Sequence, residues 1–127
     1  MAYTILIVDD SVLTRTAIKR ILGMIEFPVG QILEAPDGLV ALKILDSQPV
    51  DLVLADLNMP QMSGIELIYQ MRQQVNCAGI PVVMVTTESS PTRIKELLSE
   101  GVRDYLHKPF TPEEFRSVIS RHLGVLP

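Results

Sequence analysis

Thr4-Ile5-Leu6-Ile7-Val8-Asp9-Asp10 is a β-branched and apolar run that ends abruptly in two carboxylates. A near-continuous apolar run of this length fits a strand covered on both faces, as in a parallel sheet. The pattern recurs at Leu52 to Ala55, closed by Asp56, and at Val82 to Val85, closed by Thr86. Gln31 to Ala35 and Asp104 to His107 read as two further strands, the last followed by Lys108.

Helix-period segments lie between these runs. Leu13, Ala17, Ile21 and Ile25 recur every four residues, widened by Ile18 and Leu22; Leu39, Leu42 and Leu45 recur every three. Ile65, Ile68 and Tyr69 follow Gly64, and Ile94, Leu97 and Leu98 follow Pro91. The last helix has the clearest start: Thr111 as N-cap, Pro112 in the first turn and Glu114 completing a capping box. Phe115, Val118, Ile119 and Leu123 would form its buried face. Five strands alternating with five helices predict an α/β, doubly wound, flavodoxin-like (βα)5 fold with parallel strand order 2-1-3-4-5.

The chain has 127 residues, which suits one domain over 1–127, with no repeat, linker or low-complexity tract. An apolar content of 47% supplies a core. The net charge of −4 argues against direct binding to nucleic acid or an anionic membrane. No apolar run approaches the roughly 20 residues of a membrane span, and no signal peptide is visible. The initial Met reads as a natural start, and a cytoplasmic location is expected. Cys77 stands alone and reads as an ordinary loop thiol. The six Met residues are scattered, as core filler would be.

In doubly wound sheets the site lies beyond the carboxyl ends of the strands, where the strand order reverses. Asp9, Asp10, Asp56, Thr86 and Lys108 therefore converge on one edge. Taken singly, each has an ordinary structural use: a helix cap and turn, a solvated loop carboxylate, a hydroxyl bonded to backbone, an exposed Lys beside Pro109. Together, over four strand ends, they are far more specific. Three neighbouring carboxylates repel one another, and a hard divalent cation with oxygen ligands, such as Mg²⁺, relieves that repulsion. Lys108 adds positive charge. Phosphoryl transfer needs such neutralisation and positioning, and a carboxylate beside the metal can be the nucleophile.

At this point the chain resembles the receiver domains of two-component response regulators, close in layout to the CheY-like single-domain chemotaxis type. The resemblance rests on Asp9-Asp10-Ser11 with Arg15, on Asp56-Leu57-Asn58-Met59-Pro60 with Met62 and Gly64, on Val85-Thr86-Thr87-Glu88, and on Tyr105-Leu106-His107-Lys108-Pro109-Phe110. It spans essentially the whole chain. It implies a phosphorylation-activated switch that takes a phosphoryl group onto Asp56 from the phosphohistidine of a sensor histidine kinase or histidine phosphotransfer domain. It also implies that the chain catalyses its own phosphorylation and dephosphorylation and is not a turnover enzyme on an external substrate. By the same resemblance Asp10, Asp56 and the Asn58 carbonyl bind Mg²⁺, with Asp9 acting largely through water. Thr86 and Lys108 hold phosphoryl oxygens. Tyr105 follows the switch residue Thr86, and the Lys108–Pro109 bond is cis. Asn58, Thr87 and Glu88 tune dephosphorylation. The signal leaves by the face of helix 4, strand 5 and helix 5, near Arg93, Lys95, Glu96 and Arg116, towards a downstream protein target; a phosphatase is a further partner, and chemotaxis one setting.

Two departures stand out. Ser63 replaces a common acidic residue, which touches the turn and not the chemistry. Thr87 is bulkier than the small residue often found there. His107 reads as a surface or hydrogen-bonded His, and His122 as a cation at a helix C-terminus. An aspartyl phosphatase of the haloacid dehalogenase type would want an acid where Asn58 stands. A flavodoxin would want a hydroxyl-rich loop where Asp9-Asp10 would repel phosphate.

Overall fold

The computed structural model describes residues 2–25 and 28–123, the side chain of Leu123 excepted. Its strands are β1 (Tyr3–Val8), β2 (Val29–Ala35), β3 (Leu52–Asp56), β4 (Val82–Thr86) and β5 (Asp104–His107). They alternate with α1 (Val12–Met24), α2 (Gly38–Ser47), α3 (Gly64–Arg72), α4 (Pro91–Ser99) and α5 (Pro112–Leu123). All strands are parallel in order β2-β1-β3-β4-β5, as the alternation of runs predicts.

The apolar runs are continuous because alternate residues enter different cores. Ile5, Ile7, Leu52, Leu54, Val83 and Val85 pack with Ile18 and Leu22 of α1 and Phe115 and Ile119 of α5. Leu6, Val8, Val53, Ala55, Val82 and Met84 pack on the other face with Leu45, Leu67, Ile68, Met71, Ile94 and Leu97 from α2, α3 and α4. Each fully buried aliphatic side chain contributes about 1.5–3 kcal/mol, so the central strands anchor both layers.

The helix stripes differ from the simple repeats. Leu13 is 83% exposed and Ala17 is also exposed, whereas Ile18, Leu22 and Ile25 are buried. A spacing of four advances about 40° beyond a full turn at each step, so residues 13 to 25 wind off the buried face. Leu39 and Tyr69 are exposed for a similar reason, and Leu98 is only partly covered. The predicted α5 face holds for Phe115, Val118 and Ile119; Leu123 lies outside the described side chains.

Caps fix where each helix starts, at about 1 kcal/mol apiece. Thr111 and Glu114 form the expected reciprocal box, Thr111 N donating to Glu114 Oε1 at 2.8 Å and Glu114 N to Thr111 Oγ1 at 3.1 Å. Ser63 does the same with Glu66, so the residue that departs from the acidic pattern caps α3. Ser11, Asp37 and Ser90 cap α1, α2 and α4. Cys77 sits in a turn as expected but is fully buried, its Sγ 3.6 Å from the Met71 carbonyl; burial pushes its thiol pKa up.

Candidate functional site

Register sets the site. Val8 pairs with Ala55, so the next residues, Asp9 and Asp56, leave adjacent strands side by side. Asp56 is opposite Val85, which brings Thr86 to the same edge, and Thr86 is opposite His107, which delivers Lys108. The chain turns there through a cis Lys108–Pro109 bond, as expected, with His107 exposed.

Carboxylate oxygens of Asp9, Asp10 and Asp56 all lie within 4.8 Å of one another. Asp9 is buried, Asp56 half-buried and Asp10 exposed. Lys108 Nζ is 3.3 Å from Asp9 Oδ2 and 3.7 Å from Asp56 Oδ1. Burial pushes the Asp56 pKa up; Lys108 opposes this, the Asp9 charge adds to it, and the backbone N–H groups of Asn58 and Leu57 pull it down. One ammonium thus lies beside two of the three clustered carboxylates. The donors are all oxygens on one solvent-facing edge, which fits a hard divalent cation.

The turn after Asp56 is built for close approach. A Cβ on Gly64 would come 2.5 Å from the Asp56 carbonyl oxygen, so only glycine fits where α3 begins beneath the site. Gln61 adopts a left-handed φ of 68° within that turn, a conformation costly for a residue with a side chain.

Thr86 is buried and its Oγ1 accepts from the Glu88 N–H at 3.0 Å. The Glu88 carboxylate accepts from the Ser90 N–H at 3.2 Å, at the start of α4, while Asn58 and Thr87 are exposed. Tyr105 is half-buried, packing against the α2–α4 core and bordering an open cleft between β5 and α5. Lys95 and Glu96 are exposed on α4, and Arg93 pairs with Glu96 at 3.1 Å. Arg116 borders a groove with Met24 and Ile25 beside α1. His122 is not simply a terminal cation: its Nε2 lies 2.8 Å from Asp104 Oδ2, an oxygen it shares with Arg121.

Two features escaped sequence reasoning. The N–H groups of Leu57 and Asn58 carry no sequence signal, being backbone. Arg15, which the sequence offers only as part of a motif, donates to the Asp9 carbonyl and to Glu34 Oε1, the latter at 3.0 Å.

Residues 5–120 match the family model of the response regulator receiver domain. This chain belongs to that family. Chemotaxis protein CheY1 of Helicobacter pylori is 34% identical over 121 residues, 94% of this chain and 96% of that one. A two-component response regulator of Oryza sativa subsp. indica is 35% identical over 118 residues, 92% of this chain and 88% of that one. Among solved structures, chemotaxis response regulator CheY4 of Vibrio cholerae superposes with a TM-score of 0.86 at 32% identity, over 97% of this chain and 100% of that one. The receiver domain of sensor histidine kinase PA1611 from Pseudomonas aeruginosa, solved with magnesium in its active site cleft, gives 0.85 at 26% identity, over 98% and 99%. The receiver is thus a signalling protein of two-component systems, and a phosphorylation switch fits its fold and family. Among the described residues no helix is long and apolar enough to cross a membrane.

Proposed function

We propose that residues 1–127 act as one receiver domain in which Asp56 accepts a phosphoryl group from a phosphohistidine. The observation that carries this reading is the Lys108 ammonium set between Asp9 and Asp56 at the edge of an acidic triad. A carboxylate oxygen of Asp56 forms the new P–O bond while the P–N bond of the donor breaks. The electron pair leaves on the imidazole nitrogen. Asp9, Asp10, Asp56 and the Asn58 carbonyl would hold Mg²⁺, with Asp9 largely through water. Bound there, the cation neutralises charge on the carboxylates and on the phosphoryl oxygens. The Lys108 ammonium and, after rotation, the Thr86 hydroxyl take phosphoryl oxygens. Small donors such as acetyl phosphate suffice, because this chemistry resides in the receiver.

The adduct adds about −1.5 to −2 charges beside Thr86 and Lys108. Thr86 moves towards it, Tyr105 turns into the vacated space, and the surface of α4, β5 and α5 changes its affinity for a downstream protein. Asn58 and Glu88 help to position the water that hydrolyses the adduct, and Thr87 crowds it. The upstream partner is a sensor histidine kinase or histidine phosphotransfer domain, a phosphatase assists turnover, and the setting is cytoplasmic. Chemotaxis is one setting, since CheY1 is among the relatives that match over nearly their whole length. The test is intact mass after incubation with acetyl phosphate. One phosphoryl group should add with Mg²⁺ and none with EDTA; a metal-independent adduct would refute the reading.

A further inference from the structure

Asp10 differs from its neighbours. Asp9 is held at every polar atom: its N–H donates to Ala35 O at 3.0 Å, Oδ1 accepts from Ser11 N at 2.8 Å, Oδ2 accepts from Lys108, and its carbonyl accepts from Arg15. Among the described residues the exposed Asp10 side chain has no hydrogen-bond partner, so backbone geometry alone aims it. The carbonyl that Arg15 grips belongs to the Asp9–Asp10 peptide. Its hydrogen bond therefore fixes the rotation of the plane from which Asp10 projects.

Arg15 is itself held. Its side chain is only 14% exposed, its Nε donates to Glu34 Oε1 at 3.0 Å, and Lys19 Nζ reaches Glu34 Oε2 at 2.8 Å. The Lys19 hydrogen bond, opposed by burial and aided by Arg15, holds the Glu34 carboxyl below its usual pKa. Glu34 belongs to β2, whose register with β1 sets it opposite Ile7. The brace thus ties the end of β1, the first turns of α1 and the edge strand into one unit.

We propose that Arg15 is a positioning residue for the cation site: braced by Glu34, it locks the Asp9–Asp10 peptide so that Asp10 stays aimed at the metal. This rests on the reading of Asp9, Asp10 and Asp56 as the cation ligands. Two physical effects give opposite signs. As a nearby positive charge, Arg15 repels a cation, so its removal should tighten binding. As a positioning group, its removal should weaken binding. Lys at this position keeps the charge but lacks the planar fork needed to hold the Asp9 carbonyl and Glu34 together.

The experiment measures Mn²⁺ affinity of the whole chain by titration followed by electron paramagnetic resonance, well below the melting temperature. Wild type, Arg15→Gln, Arg15→Lys, Glu34→Gln and Asp10→Asn are compared. Outer residues that orient metal ligands typically cost about tenfold or more in affinity when lost. Arg15→Gln should weaken binding by about that factor, with Arg15→Lys and Glu34→Gln in between. Equal or tighter binding in the Arg15 variants, while Asp10→Asn weakens it, would overturn the positioning role. Should Arg15→Gln fail to fold, Arg15→Lys and Glu34→Gln carry the same test. If Asp10→Asn binds like wild type, the ligand assignment itself fails, and the positioning role with it.

Discussion

The backbone N–H of Lys108 donates to the carbonyl of Thr86 at 2.7 Å. The two groups proposed to hold the phosphoryl oxygens are therefore tied through the main chain before any ligand arrives. The tie fixes the two backbones relative to one another, so only the Thr86 side chain, whose Oγ1 accepts from the Glu88 N–H, has to turn, while the Lys108 ammonium already lies beside Asp56. A positioned charge of this kind is where electrostatic catalysis gains most. Lys108→Met keeps the stem and removes the charge. Phosphorylation by acetyl phosphate should slow by on the order of a hundredfold, with circular dichroism unchanged. An unaltered rate of adduct formation by intact mass would count against Lys108 as a phosphoryl-binding group.

Burial pushes Asp56 up from the ordinary Asp value, and this has a stability consequence. Between the unfolded pKa and the raised folded one, the native state binds more protons than the unfolded state. Stability of the metal-free protein therefore falls as pH rises through that window. Asp56→Asn removes the buried charge. In EDTA it should be more resistant to urea than wild type at pH 7, and the gap should narrow as pH falls towards about 4. Wild type matching or exceeding the variant at pH 7 would contradict the desolvation account.

Thr87 is exposed beside the site, and Glu88 is turned to the Ser90 N–H. If Thr87 crowds the adduct, Thr87→Ala should shorten its lifetime, which is expected to be seconds to minutes for wild type. Loss of the mass adduct after removal of donor provides the measurement. A longer lifetime in the variant would show that the steric account of Thr87 is wrong.

In the proposed switch, Tyr105 couples the site to the surface of α4, β5 and α5. Binding beryllofluoride with Mg²⁺ should shift amide resonances at Thr86 and Tyr105 and across α4 and α5. The differential affinity available to a partner is typically about 1–3 kcal/mol. Shifts confined to residues near Asp9, Asp10 and Asp56 would place the output elsewhere.

The strands β1, β3 and β4 were legible because both faces are buried, so Ile5 to Val8 and Val82 to Val85 carry no polar interruption. The carboxylates were legible because they close those runs. Helix faces were less so: Leu13 and Tyr69 fit an apolar repeat yet point to solvent, since spacing alone does not say how far a stripe winds. Ser11, Asp37, Ser63 and Ser90 cap their helices as Thr111 does, but only Thr111 sits before a Pro and a Glu at the diagnostic positions. The Arg15–Glu34 contact depends on the register of β1 with β2, and the sharing of Asp104 by Arg121 and His122 on how α5 folds back over β5. Neither follows from local pattern.

The proposed switch depends above all on Asp56 carrying the phosphoryl group. Borohydride reduces an acyl phosphate to an alcohol and so converts a phosphorylated Asp to homoserine. Peptide mass mapping after phosphorylation and reduction should find homoserine at residue 56, and none in Asp56→Asn. Homoserine at Asp9 or Asp10, or a stable phosphoryl group on a hydroxyl or imidazole side chain in place of it, would contradict the account.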